Sequence, residues 1–287
     1  MHSTAFELRN RDGLPLRGDL RCLDSDEPLP VVVVCHGFKG FKDWGFFPHV
    51  GERLASAGFL SVCFNFSGSG VGADLQNFTE LDRFAADTVT AQLGDLRRVI
   101  DALESSEIGT GRVDRQRLAV LGHSRGGGTA VLAARDDRRV RAVVTWAGIS
   151  TFERWTDLEV RSWRQRGYAE FLNARTQQQM RVDMTYLDDL AANAPRYDIV
   201  RAVSELEVPL LVVHGADDVS VPVDEARSLH AAARPGRAEL LVIPEAGHTF
   251  GAEHPWKGTS PALERILEHT VAWLHASLAV APQGSVR

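Results

Sequence analysis

A strand-like run, Arg117 to Leu121, leads straight into Gly122-His123-Ser124-Arg125-Gly126, and small residues from Gly127 to Ala134 follow in a helical pattern. This order of strand, Gly-x-Ser-x-Gly and helix restricts the fold more than any other feature of the chain. Between strand and helix the backbone must reverse so sharply that the serine is strained and its hydroxyl stands exposed above a sheet. A side chain at either glycine of the pentapeptide would crowd that turn. The pentapeptide by itself is a weak signal; its position between strand and helix makes it a strong one.

Other short apolar runs alternate with helical patterns, which predicts βα units and a largely parallel sheet. Leu16 to Arg21 reads as an early antiparallel strand. Pro30 to Cys35 is almost wholly apolar, as a strand covered on both faces should be, and Leu60 to Asn65 is the next. Leu118 to Gly122, Val140 to Trp146, Pro209 to Val213 and Ala238 to Ile243 complete the set. In Arg83 to Glu104, Leu93, Leu96, Ile100 and Leu103 share one helical face. The last helix has Ser260 as N-cap and Pro261 at its first turn, and runs to Ala279. Residues 280–287 read as a frayed tail.

Between Gly148 and Pro209 the alternation stops for about sixty residues, too long for an ordinary βα connection. The segment is mostly helical in character, and Val160, Trp163, Gly167 and Phe171 fall on one helical face. We read residues 150–207 as a helical cap inserted between two parts of a core, 1–149 and 208–279.

Composition narrows the function classes. A net charge of −6 and a pI near 5.9, with basic residues interleaved among acids as in Arg135-Asp136-Asp137-Arg138-Arg139, argue against a nucleic-acid partner. Cys22, Cys35 and Cys63 lack metal-ligand spacing, and neither a disulfide framework nor a metal site is expected. No signal sequence or stretch of bilayer length appears, so we expect a cytoplasmic protein without a membrane partner. Glycines in Asn65 to Gly72 resemble a dinucleotide loop but lack Gly-x-Gly-x-x-Gly spacing, and no cofactor is expected.

A serine hydroxyl needs an imidazole to take its proton, and the imidazole needs a carboxylate to fix its tautomer. The loop after the Pro209 strand, His214-Gly215-Ala216-Asp217-Asp218-Val219-Ser220-Val221-Pro222, offers two acids. The loop after the Ala238 strand, Pro244-Glu245-Ala246-Gly247-His248, offers a histidine. Ser, Asp, His is the chain order that accompanies a turn-borne serine nucleophile. His254 is a rival base. His36, His123 and His214 read as makers of local structural hydrogen bonds.

Four segments in this order, His36-Gly37-Phe38-Lys39-Gly40, Gly122 to Gly127, His214 to Pro222 and Ala246-Gly247-His248, resemble the α/β-hydrolase fold, and most of all its dienelactone-hydrolase-like and cinnamoyl-esterase-like serine hydrolases. The resemblance implies a mostly parallel central sheet flanked by helices. It selects Asp218 over Asp217 as the triad acid, beside Ser124 and His248. It also implies an oxyanion hole made by the backbone amides of Phe38 and Arg125. The Arg125 side chain is read as a salt-bridge partner, with substrate contact as the alternative. Phe41, Trp44, Trp155 and Trp163 are read as pocket residues. The expected reaction is hydrolysis of a carboxylic ester on a small-molecule acyl substrate. A peptidase or amidase, an acyltransferase and a non-catalytic binding module are the alternatives.

Overall fold

The computed structural model describes residues 1–173 and 176–278. The expected tail at 280–287 lies outside the described residues. The chain runs β1 (His2–Arg9), β2 (Pro15–Cys22), β3 (Leu29–Cys35), α1 (Phe47–Ser56), β4 (Leu60–Phe64), α2 (Leu81–Ala85), α3 (Val89–Glu104), β5 (Val113–His123), α4 (Arg125–Asp136) and β6 (Val140–Trp146). It continues with α5 (Asp157–Arg166), β7 (Tyr168–Asn173), β8 (Gln178–Asp183), α6 (Met184–Asn193), α7 (Ile199–Glu205), β9 (Leu210–Gly215), α8 (Val223–Ala232), β10 (Ala238–Ile243) and α9 (Pro261–Leu278).

Eight strands form one sheet in the order β1-β2-β4-β3-β5-β6-β9-β10. β2 pairs antiparallel with β1 and β4, and from β4 onward all neighbours are parallel. The apolar run of β3 serves both faces. Val31, Val33 and Cys35 join a core with α3, α4 and the inserted segment, whereas Val32 and Val34 join a second core with α1 and α9. That two-sided burial is why β3 carries no polar alternation.

Two sequence expectations change. The helix expected over Arg83 to Glu104 is two helices, because Thr88 takes extended dihedrals and its hydroxyl accepts the Ala91 amide as N-cap of α3. The insertion is only partly helical. α5 stops at Gly167, which takes the left-handed conformation at φ 81°. Tyr168 to Asn173 then pairs antiparallel with Gln178 to Asp183, so Phe171 sits on a hairpin rather than a helix. α7, at the end of the inserted segment, packs against α4 and α8 of the core. Among the described residues no helix is long and apolar enough to cross a membrane.

Candidate active site

β3, β5, β9 and β10 are parallel, so the loops that follow them open at one rim, the usual place for chemistry on an open α/β sheet. Ser124 stands where β5 turns into α4, at φ 57° and ψ −122°, dihedrals that few residues with a side chain adopt. Its amide donates to the Trp146 carbonyl at 2.9 Å, and its carbonyl accepts from Gly127 at 2.9 Å. Neighbouring backbone thus over-determines the strained turn.

The glycines are there for space. A Cβ at Gly122 would fall 2.1 Å from the Gly126 carbonyl oxygen, and one at Gly126 would fall 2.5 Å from the Cys35 oxygen. Both obstacles are main chain and cannot swing aside. Gly122→Ala should therefore cost roughly 3 kcal/mol, the upper end for an overpacked site. Urea unfolding of the variant checks this, and an unchanged midpoint would show that the turn has room.

The first loop packs directly against Ser124. A Cβ at Gly37 would lie 2.9 Å from the Ser124 Cβ. Among the described residues neither the Phe38 nor the Arg125 amide donates a hydrogen bond, and Arg125 opens α4, where helix amides are unpaired. Two free N–H groups therefore flank the serine. His36 holds this loop from within: its Nδ1–H donates to the Gly37 carbonyl at 2.9 Å, and its Nε2 accepts from Phe66 at 3.2 Å. Burial lowers its pKa to about 4, so it stays neutral in that role.

The loops that carry Asp218 and His248 are clamped together by backbone. The Asp217 amide donates to the Ala246 carbonyl at 2.9 Å, and a Cβ at Gly215 would lie 2.2 Å from the Ala246 oxygen. The His248 Nδ1–H then donates to Asp218 Oδ2 at 2.7 Å. Asp218 Oδ1 accepts from the Ser220 and Val221 amides at 2.8 and 2.9 Å. Burial acts to raise the Asp218 pKa. The hydrogen bonds from His214, His248 and Val221 outweigh burial and hold the carboxyl well below the ordinary carboxylate range. Asp217, next to it, points into solvent.

The Asp218 side chain is fully buried, that of His248 is 22% exposed, and Ser124 is partly exposed. A protonated Nδ1 leaves Nε2 as the basic nitrogen. His123 steadies His248, donating from Nε2 to the His248 carbonyl at 2.9 Å, with the two rings 4.8 Å apart. Burial, and then the neighbouring His248, lower the His123 pKa to about 3. Among the described residues the Ser124 hydroxyl makes no hydrogen bond; in ligand-free hydrolases that contact is often loose and tightens with substrate.

His254, the rival base, is engaged elsewhere. Its Nδ1 accepts the Gly45 amide at 2.9 Å, and its ring packs on Phe41 and Trp44. The same contacts divide the expected pocket residues. Phe41 is fully buried among Phe78 and His254, so it is core and not pocket lining, and Trp44 stacks on His254. Both lie in the loop between β3 and α1.

Trp155 and Trp163 join Phe171 and Tyr186 in an aromatic cluster of the inserted segment. The cluster reaches the site through Phe171, edge-on to Phe38 at 5.5 Å. Tyr186 and Asp87, which sequence reasoning did not place here, also approach the Arg125 guanidinium. No local pattern marks either residue, since only the folded insertion and the chain before α3 bring them in.

Comparison with known proteins agrees with this architecture. A putative carboxymethylenebutenolidase of Escherichia coli (strain K12) is 26% identical over 257 residues, covering 84% of this chain and 77% of that protein. Est1E from Butyrivibrio proteoclasticus, solved with ferulic acid bound, superposes with a TM-score of 0.72 at 20% identity, over 96% of this chain and 100% of that one. The esterase domain of a Rhodothermus marinus protein gives a TM-score of 0.66 at 19% identity, over 97% and 100%. The prolyl oligopeptidase family model matches residues 44–279, and the chain belongs to that family of α/β-hydrolase fold enzymes as a hydrolase.

Proposed function

We propose that the protein hydrolyses a carboxylic ester of a small molecule through an acyl-enzyme on Ser124. The observation that carries this reading is the buried Asp218–His248 pair beside a strained serine flanked by two free amides. His248 Nε2 takes the Ser124 proton as Oγ bonds to the ester carbonyl carbon. The Phe38 and Arg125 amides receive the negative oxygen, each such donor being worth roughly 3–4 kcal/mol of transition-state stabilisation. The tetrahedral intermediate expels the alkoxide, which leaves with the proton from His248. Water, deprotonated by the same nitrogen, then attacks the acyl-enzyme and frees the acid.

The similarity to esterases and to a putative carboxymethylenebutenolidase supports an ester over a peptide substrate. The unpaired cysteines Cys22, Cys35 and Cys63 support a reducing compartment for it. Labelling with a fluorophosphonate, followed by a screen of p-nitrophenyl esters beside matched anilides, tests the reading. We expect one covalent adduct at Ser124 and ester turnover well above anilide turnover. An unlabelled protein would point to a binding module, and equal anilide cleavage to a peptidase or amidase.

A further inference from the structure

The loop that follows β3 carries the Phe38 amide, and its own bonds fix it poorly. Glycines at 37 and 40 bracket Phe38 and Lys39, and Lys39 takes a φ of 58°, a conformation that side chains disfavour. Within that stretch one turn closes, the Gly40 amide donating to the Gly37 carbonyl at 3.0 Å. Glycine leaves the backbone many directions to choose from, so the direction of the Phe38 amide must be set by what holds the loop on either side.

Upstream, the loop is held by the His36 bond to the Phe66 amide and by Gly37 against Ser124. Downstream, it is held at Lys42. The Lys42 amide donates to Asn65 Oδ1 at 2.6 Å, and Asn65 in turn donates from its own amide to the Arg17 carbonyl of β2 at 2.8 Å. Asn65 and Phe66 are neighbours in the chain, so one turn after β4 grips the loop at residues 36 and 42, on both sides of Phe38.

The Lys42 side chain adds a second hold. It is only 4% exposed, and its ammonium donates to Asp19 Oδ2 of β2 at 2.6 Å and to the Asp43 carboxylate at 2.7 Å. Asp19 also accepts from Arg21 at 3.1 Å. Lysine is almost never this buried without such partners. A buried ion pair adds little net stability, because desolvation offsets the attraction. What these bonds contribute is a defined path for the loop.

We propose that Asn65 and Lys42 are positioning residues for the oxyanion hole, which fix the Phe38 amide by holding the loop at residue 42. An oxyanion donor is effective only about 3 Å from the oxygen that becomes charged. A displacement of about 1 Å can cost about a hundredfold in rate. A loop released at residue 42 lets the Phe38 amide drift, while Ser124, Asp218 and His248 keep their places on other loops. The loss then falls on the transition state and spares substrate binding.

This inference rests on the esterase reading, and the test separates the two. Asn65→Leu removes the acceptor at similar size, Asn65→Asp keeps it, and Lys42→Met removes the ammonium. On p-nitrophenyl acetate, Asn65→Leu and Lys42→Met should each lower kcat roughly ten- to a hundredfold. KM should stay within about twofold, as for an interaction made only in the transition state. Asn65→Asp should recover most of the rate.

Inhibition by an alkyl trifluoromethyl ketone reads the oxyanion hole directly. Ser124 Oγ adds to the ketone carbon, the serine proton passes to His248 Nε2, and the ketone oxygen becomes the oxyanion. The inhibition constant should rise in Asn65→Leu by the factor that kcat falls, in protein whose thermal unfolding shows it fully folded at the assay temperature. An unchanged inhibition constant, wild-type kcat in Asn65→Leu, or an Asn65→Asp variant as slow as Asn65→Leu would overturn the positioning role. Wild-type protein that neither cleaves esters nor is labelled at Ser124 would instead remove the esterase reading, before any variant is compared.

Discussion

Ser124→Ala is expected to lower kcat by roughly a millionfold, the scale seen when a hydrolase loses its nucleophile. The fold should hardly notice. The hydroxyl makes no hydrogen bond among the described residues, and the main-chain bonds of residue 124 to Trp146 and Gly127 do not involve the side chain. Stability should stay within about 0.5 kcal/mol of wild type, as for substitutions that touch no packing or buried polar partner. Turnover at saturating p-nitrophenyl acetate, beside thermal unfolding, measures both. A variant retaining even a hundredth of the activity would refute an acyl-enzyme on this residue.

Asp218→Asn should cost about ten-thousandfold in kcat for a different reason. The asparagine oxygen can still accept from the Ser220 and Val221 amides, so the loop survives. Its NH2 then faces His248 Nδ1 as a donor where the carboxylate accepted at 2.7 Å. The imidazole must move its proton to Nε2, and it loses the lone pair that would take the serine proton.

The same substitution has a pH signature. The folded carboxyl titrates below its ordinary value of 3.8, so as pH falls the unfolded chain takes up this proton first. The stability contributed by Asp218 is complete above about pH 4 and fades as pH drops below it. Wild type and Asp218→Asn should therefore differ most near pH 6 and converge toward pH 3 in denaturant titrations. A constant difference across that range would mean that the carboxylate is not held ionised by its partners.

The legible parts of this site are those governed by short-range sterics and by strand ends. Ser124 could be located because strand, glycine-flanked serine and helix lie within a few residues of one another. Asp218 and His248 could be located because each follows an apolar strand in the proper order. The Ser260-Pro261 cap is equally local, and the Ser260 hydroxyl accepts the Leu263 amide at 3.0 Å as expected. β1 was not legible, since it is an edge strand exposed along most of its length and has no apolar alternation to read.

Elsewhere local pattern and tertiary context part company. Val160, Trp163, Gly167 and Phe171 have helical spacing, but a left-handed Gly167 ends α5 and a hairpin takes Phe171 to Phe38. Phe41 sits in a loop near the nucleophile in sequence, yet it is drawn into the core because Phe78 and His254 come to meet it. By itself the sequence determined the sheet, the strained turn and the strand-end loops that carry Ser124, Asp218 and His248, because backbone crowding and burial period act over a few residues. Only the tertiary structure decided what surrounds Arg125, because Phe38, Asp87, Trp163 and Tyr186 come from separate stretches of chain. Their contacts depend on how the inserted segment packs over the rim, a long-range property that no local pattern encodes.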